Sequence, residues 1–323
     1  MIKEYTHSLD KTRPTKLFLC PKCSKRVLTR YVCCKSGDYL ADYVGRCNRE
    51  QNCAYHYTPK QYFEENPNAK SFIPLQIEEK QAIVKEISCI PTKYFEGALT
   101  AYGHNNFVIF LETLFGKALS KYLIERFHIG TSKYWKGASV FWQIDELGNI
   151  RTGKVMLYDC KLGKRIKTPY NHVNWVHSIL KLENYHLQQC LFGIWQLKNA
   201  TLDTTVCIVE SEKTAIVMSA ILPKCIWLAT GGINNLKAEN CQILRHRTVV
   251  LYPDLGGFEK WKNKADELQN ICKFVTTSDL LDRNATEQDH KEGFDLADYF
   301  LKKQDPKSGL LITDEGYPAF WDW

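Results

Sequence analysis

Six of the thirteen cysteines fall between Cys20 and Cys53, and four of those six are spaced as metal ligands. Cys20-Pro21-Lys22-Cys23 is a Cys-x2-Cys turn, and Cys47 and Cys53 bracket a second, looser turn. Two thiolates from each turn complete a tetrahedral site for Zn2+, which accepts Cys sulfur or His nitrogen and needs no redox chemistry. His56 follows Cys53 at the more usual ligand spacing, so the fourth ligand is either Cys47 or His56. Cys33 and Cys34 are adjacent and would point to opposite faces of a strand, so they read as strand residues. A structural zinc contributes about 10–16 kcal/mol, more than a segment of about 45 residues gains from its own core. Without metal this segment is expected to unfold. A second set of chemically pointed residues lies far downstream. Glu210 and Asp254 each end a short apolar run, and Gly231-Gly232 ends a third run between them.

Those carboxylates need a scaffold that brings strand ends together. The runs 206–209, 225–229 and 248–252 recur with helix-period segments between them, the pattern of a buried parallel sheet with crossover helices. In such a sheet the loops at the carboxyl ends of the strands line the ligand crevice. Ser211 reads as the cap of the helix that follows the first strand. Upstream, 140–145, a turn at Gly148-Asn149, 151–158, a turn at Gly163 and 164–167 predict an antiparallel meander. Residues 77–130 read mainly helical, with Phe107, Phe110, Leu111, Leu114 and Phe115 on one apolar face. A polar, turn-rich stretch at 64–69 marks a boundary. The expected organisation is α/β, with a zinc ribbon over 1–65, a mixed α+β core over 66–200 and a mainly parallel sheet over 201–305. An aromatic tail over 306–323, with Tyr317, Phe320, Trp321 and Trp323, is expected to pack back on the body.

Composition is that of an ordinary globular chain, 323 residues, 44% apolar and 24% charged, so disorder is not expected. No apolar run approaches the ~20 residues of a membrane span, and Met1-Ile2-Lys3-Glu4 lacks the start of a secretory signal. A cytoplasmic protein without membrane partners is expected. The net charge of +7 is concentrated, because residues 1–60 hold twelve Lys and Arg against five Asp and Glu while the rest of the chain balances. A localised basic module beside a metal knuckle is the electrostatic footprint of phosphate binding. Lys22, Arg26, Arg46 and Arg49 are its candidate contacts, and Tyr31, Tyr39, Tyr43, Tyr55 and Tyr57 are aromatics that either stack on unpaired bases or pack the ribbon. The meander carries Arg151, Lys154, Lys161, Lys164, Arg165 and Lys167, read as exposed cations. They form either a second phosphate-reading face, with Lys154, Arg165 and Lys167 as its contacts, or a charged edge that guards the sheet.

In order and motif the chain resembles bacterial DNA primases of the replicative type, which carry a zinc finger, a mixed α/β core and a Toprim domain. Val209-Glu210-Ser211 resembles the family's Val-Glu-Gly, and Asp254-Leu255-Gly256 its Asp-x-Asp. The stretch Gly293-Phe294-Asp295-Leu296-Ala297-Asp298-Tyr299 resembles its later acidic motif. Segments 141–145, 148–158 and 191–193 resemble the core that precedes Toprim, so the likeness covers roughly 17–302. More narrowly, the chain looks like the primase-like zinc-finger and Toprim proteins carried by bacterial plasmids, phages and conjugative elements. The resemblance implies a primase-like core and a Toprim domain in which Glu210, Asp254, Asp295 and Asp298 hold Mg2+ or Mn2+. It also implies a strand-binding finger, single-stranded DNA (or RNA) and NTPs as partners, and a helicase supplied separately. Lys213, in the first turn after Glu210, is placed to meet a phosphate. Glu210 and Asp254 would support nucleotidyl transfer for primer synthesis by neutralising charge on the transferred phosphoryl oxygens. Gly256 stands where the family has its second Asp. That departure keeps two alternatives open, a Toprim nuclease and a catalytically silent nucleic-acid-binding factor.

Overall fold

A computed structural model describes residues 7–12, 16–34, 36–49, 52–67, 86–232 and 235–302. The tail 306–323 lies outside them, as does the whole stretch from 68 to 85. Contacts divide the chain into two units, 1–83 and 84–323.

The first unit is an antiparallel ribbon. Its strands are β1 (His7–Leu9), β2 (Phe18–Leu19), β3 (Arg26–Cys33), β4 (Gly45–Cys47) and β5 (His56–Tyr57), ordered β1-β3-β4-β5 with β2 on β3. A short helix α1 (Pro59–Glu65) follows, started by Pro59 and a capping box between Thr58 and Gln61. Strands β3 and β4 approach so closely at Gly45 that a Cβ there would lie 2.5 Å from the Thr29 carbonyl oxygen. Only glycine fits. Apolar packing in this unit is slight, since Leu28 is buried among Cys20, Cys47 and Cys53, with Phe18, Val27 and Tyr55 partly buried around them. Cys33 ends β3 and Cys34 lies in the turn after it.

In the second unit, α2 (Thr92–Glu96) leads to α3 (Asn106–Phe127), whose Asn105 side chain accepts from the Phe107 and Val108 amides. The expected apolar face is core: Phe107, Phe110, Leu111 and Phe115 are buried and Leu114 packs against them. Gly116 breaks the helix at φ 75. An antiparallel sheet follows, β6 (Gly130–Ser132), β7 (Ala138–Ile144), β8 (Ile150–Met156) and β9 (Val173–Trp175) in that order. The meander is therefore present, with one correction. Residues 164–167 form no strand: only an isolated bridge joins Arg165 to Tyr158, and β9 takes the third place beside β8.

A short helix α4 (Val176–Ile179) and a 3-10 turn over Ile194–Asn199 lead into the parallel sheet. It comprises β10 (Val206–Val209), α5 (Glu212–Ile221), β11 (Ile226–Ala229), β12 (Thr248–Leu251), α6 (Phe258–Leu268) and β13 (Phe274–Thr277), with strand order β11-β10-β12-β13. Three short helices follow, α7 (Leu280–Asn284), α8 (Glu287–Glu292) and α9 (Leu296–Lys302). The three expected strands pair in parallel as read: β10 and β11 are buried on both faces, and β12 on one face with the other partly covered. One core joins α3, the meander and α5, while a second fills the other face of the parallel sheet around Trp261. No helix among the described residues is long and apolar enough to cross a membrane.

Candidate functional site

The order β11-β10-β12 reverses direction at β10. After β10 the chain crosses to one side, and after β11 it returns to the other, so the crevice opens between the carboxyl ends of β10 and β12. Glu210 follows β10 and Asp254 follows β12, with Ile208 paired to Leu251 and the Tyr252 amide bonded to the Ile208 carbonyl at 2.8 Å. The two carboxylates are near enough for Glu210 to raise the Asp254 pKa. Burial is the first cause of that shift and Asp295 the second; together with Glu210 they push Asp254 up to about 8.

Helix α5 starts as expected, with the Ser211 hydroxyl accepting from the Thr214 amide. Its first turn does not send Lys213 into solvent. The ammonium is buried, 3.0 Å from Asp295 and 2.8 Å from Asp298. Burial alone would lower the Lys213 pKa, but the two carboxylates hold it above its ordinary value. Asp295 and Asp298 bond each other's amides at the start of α9, with the Asp298 amide 2.9 Å from Asp295 Oδ1. The structure thus brings Glu210, Asp254, Asp295, Asp298 and Lys213 together but places a cation of the chain's own between two of the acids. Among the described residues, the four cysteines are the group of three or more possible metal ligands lying within 4.8 Å of one another. Glu210 and Asp254 offer two carboxylates close enough to repel one another, and Mg2+ usually takes one or two protein carboxylates and keeps waters and substrate oxygens for the rest. Gly256 has φ +76, with open space where a Cβ would point. Its amide faces Asp282 Oδ1 at 3.4 Å. Asp282, on α7, was not singled out from the sequence because nothing local ties it to the strand ends.

Lys154 needs correction. Read as an exposed cation, it is buried on β8 and reaches Glu212 Oε2 at 3.1 Å and the Gly231 carbonyl at 2.9 Å. Alternation along β8 turns it inward, onto the first turn of α5. Arg151 is likewise drawn in, 2.6 Å from Asp145. Lys164 pairs with Glu292 at 3.8 Å, whereas Arg165 and Lys167 are exposed as expected.

In the ribbon the four cysteine sulfurs face one another, with Cys20 Sγ 3.7 Å from Cys53 Sγ and Cys23 Sγ 4.0 Å from Cys47 Sγ. Bonds of about 2.3 Å in a tetrahedron around zinc place sulfurs about 3.8 Å apart, so the residues fit that metal. The Lys25 amide draws Cys23 down to about 6, while burial pushes Cys47 up to about 12. A divalent cation is what lets all four sulfurs ionise together. His56 is not the fourth ligand. Its Nε2 lies 2.8 Å from the Tyr31 hydroxyl, and the two rings stack. His56→Ala is therefore expected to leave one equivalent of zinc bound by metal analysis, and loss of zinc would return His56 to the ligand set. Lys22, Arg26 and Arg46 are exposed and Arg49 is half-buried. Arg46 pairs across the ribbon with Thr29 and His56, which gathers a cation and the Tyr31–His56 ring pair on one face.

Residues 5–68 match a zinc beta-ribbon finger family. Residues 105–255 match a domain of unknown function (DUF6371). No curated protein matches the chain. Among solved structures the chain is similar to the primase fragment of the bacteriophage T7 primase-helicase protein, at 11% identity and a TM-score of 0.37. That match covers 86% of this chain and 98% of that one. It is also similar to the DnaG primase catalytic domain bound to ssDNA, at 12% identity and a TM-score of 0.40, covering 70% of this chain and 86% of that one.

Proposed function

We propose that the chain is a primase-like nucleotidyltransferase that holds single-stranded DNA on its zinc ribbon and extends primers from NTPs at the Glu210–Asp254 crevice. The observation that carries this reading is the placement of Glu210 and Asp254 on the two sides of the strand-order reversal, with Asp295 close enough to raise Asp254. Residues 66–200 then serve as the primase-like core and 201–305 as the Toprim domain. The metal, Mg2+ or Mn2+, would be held by Glu210 and Asp254 and would supply charge neutralisation at the transferred phosphoryl group. Asp295 and Asp298 fix Lys213, whose charge lowers the repulsion among the carboxylates. The proposal extends to replication of a mobile genetic element in the cytoplasm, with a separate helicase opening the duplex.

The test is template-directed NTP incorporation on single-stranded DNA with Mg2+ or Mn2+. Products of discrete length that vanish in Glu210→Gln support the reading, and full incorporation by that variant overturns it. Strand cleavage without nucleotides would instead mark a nuclease. One observation favours the silent alternative: with Gly256 in place of an acid and Lys213 already neutralising Asp295 and Asp298, few carboxylates remain for metal. Strand binding without incorporation would establish it.

Two further outcomes are expected. Strand binding should weaken with salt at a log–log slope near −3, from about four ribbon contacts at roughly 0.7 each, and residues 84–323 alone should lose that slope. Equal slopes for the two proteins would move the contacts to Arg165 and Lys167. Lys213→Met should leave Asp295 and Asp298 without their cation, destabilising the second unit by about 3–5 kcal/mol. Added Mn2+ should restore more of its melting temperature than it adds to the wild type. Equal effects of Mn2+ on both would show that Lys213 does not occupy a cation position.

A further inference from the structure

A cleft of about 480 Å3 lies at the other end of the parallel sheet, where the chain enters β11. Its walls are the part of α3 beyond Gly116, the 3-10 turn Ile194–Asn199 and the residues preceding β11. It is separated from Glu210 and Gly231 by the length of strands β10 and β11, roughly 13 Å at the usual rise per residue. None of the residues placed in the carboxylate site lines it.

The lining is chemically one-sided. Among the described residues it holds two cations, Arg126 and Lys224, and no carboxylate. Arg126 spends its donors on neutral groups, Nε on Gln196 Oε1 at 2.6 Å and a terminal nitrogen on the Tyr122 hydroxyl at 3.0 Å. These bonds hold the guanidinium in place without cancelling its charge. Further N–H groups of a five-donor fork are left for an anion. Two flat rings flank it, Trp195 half-buried and Tyr122 51% exposed. The rim is stiff, because buried Arg247 donates to the carbonyls of Leu197, Ala200 and Thr201 at 2.7–3.2 Å. A pre-ordered cleft loses little entropy on binding.

A fixed cation, stacking rings and the Gln196 amide suit a ligand that joins an anion to a planar, hydrogen-bonding ring, and the volume falls within the range of about 300–1,000 Å3 typical of small-ligand sites. We infer that this cleft binds a free nucleoside phosphate, with the phosphate on Arg126 and Lys224 and the base against Trp195 and Tyr122. The inference stands independently of the proposed catalytic reading. Cys225 supplies a reporter, since it lines the cleft and a hydrogen bond from Cys207 lowers its thiol to about 7.

The test is calorimetric titration of the full zinc-loaded chain with AMP, adenosine and inorganic phosphate, without added divalent metal. AMP is expected to saturate below about 1 mM. It should also protect Cys225 from alkylation, as read by mass spectrometry. Arg126→Gln should weaken AMP by at least about tenfold, the loss of one charge-assisted bond. Lys224→Ala should weaken it several-fold, while Asp254→Asn should bind AMP as the wild type does. No saturation by AMP, equal binding of phosphate alone, or loss of binding in Asp254→Asn with retention in Arg126→Gln would each overturn the assignment.

Discussion

Cys23→Ser is expected to abolish zinc binding and unfold residues 7–67 while leaving the cooperative melting of residues 84–323 in place. Beyond the cysteines the ribbon fully buries only two apolar side chains among its described residues, Leu28 and Val44, so its apolar contribution is a few kcal/mol. Structural zinc supplies about 10–16 kcal/mol, and three thiolates without a fourth forfeit much of it. Metal analysis should fall from one equivalent to none, and amide dispersion should collapse in the ribbon alone. Cys34→Ser is the matched control, because Cys34 is exposed and outside the four-sulfur group. A Cys23→Ser protein that retains one equivalent of zinc and a folded ribbon would remove the metal from this site.

Asp254→Asn is expected to cut nucleotidyl transfer by at least about a hundredfold, the loss of one metal-binding charge, yet to make the protein more stable at high pH. Asp254 sits at about 8 against an ordinary 3.8, because burial and then Asp295 and Glu210 oppose its ionisation. The folded state therefore keeps a proton between those values that the unfolded state has lost, and stability falls as pH rises through that window. Asn cannot ionise and escapes the loss. At pH 9 without divalent metal the variant should gain a few kcal/mol, or several degrees in melting temperature, whereas at pH 3 the two proteins should match. Saturating Mg2+ should narrow the gap by stabilising the ionised form of the wild type. A lower melting temperature for the variant at pH 9 would show that Asp254 is already ionised and well satisfied.

The parts of this molecule that could be read from sequence are those fixed by local pattern. Runs such as Val206-Cys207-Ile208-Val209 are buried on both faces, so composition alone marks them as parallel strands. Phe274–Thr277 escaped because it is an edge strand with alternating exposure and only one buried residue, Val275. The four-cysteine group was legible from spacing, but Cys47 over His56 was not, since the choice depends on Tyr31 lying across the ribbon to engage the His56 ring. Lys154 was misread for a related reason. Its partner Glu212 is 58 residues away, and no window along the chain connects them. Lys213 was placed in the correct helical turn, but only the docking of α9 could show which acids it would meet.

The Lys154–Glu212 contact also separates two effects of ionic strength. Its side chains are 10% and 2% exposed, so mobile ions cannot enter between them, whereas Lys22, Arg26 and Arg46 stand in solvent. Raising salt should strip the ribbon from a DNA strand and leave β8 tied to α5. An activity lost in salt and recovered on dilution would therefore report the grip on the template, with the crevice intact throughout.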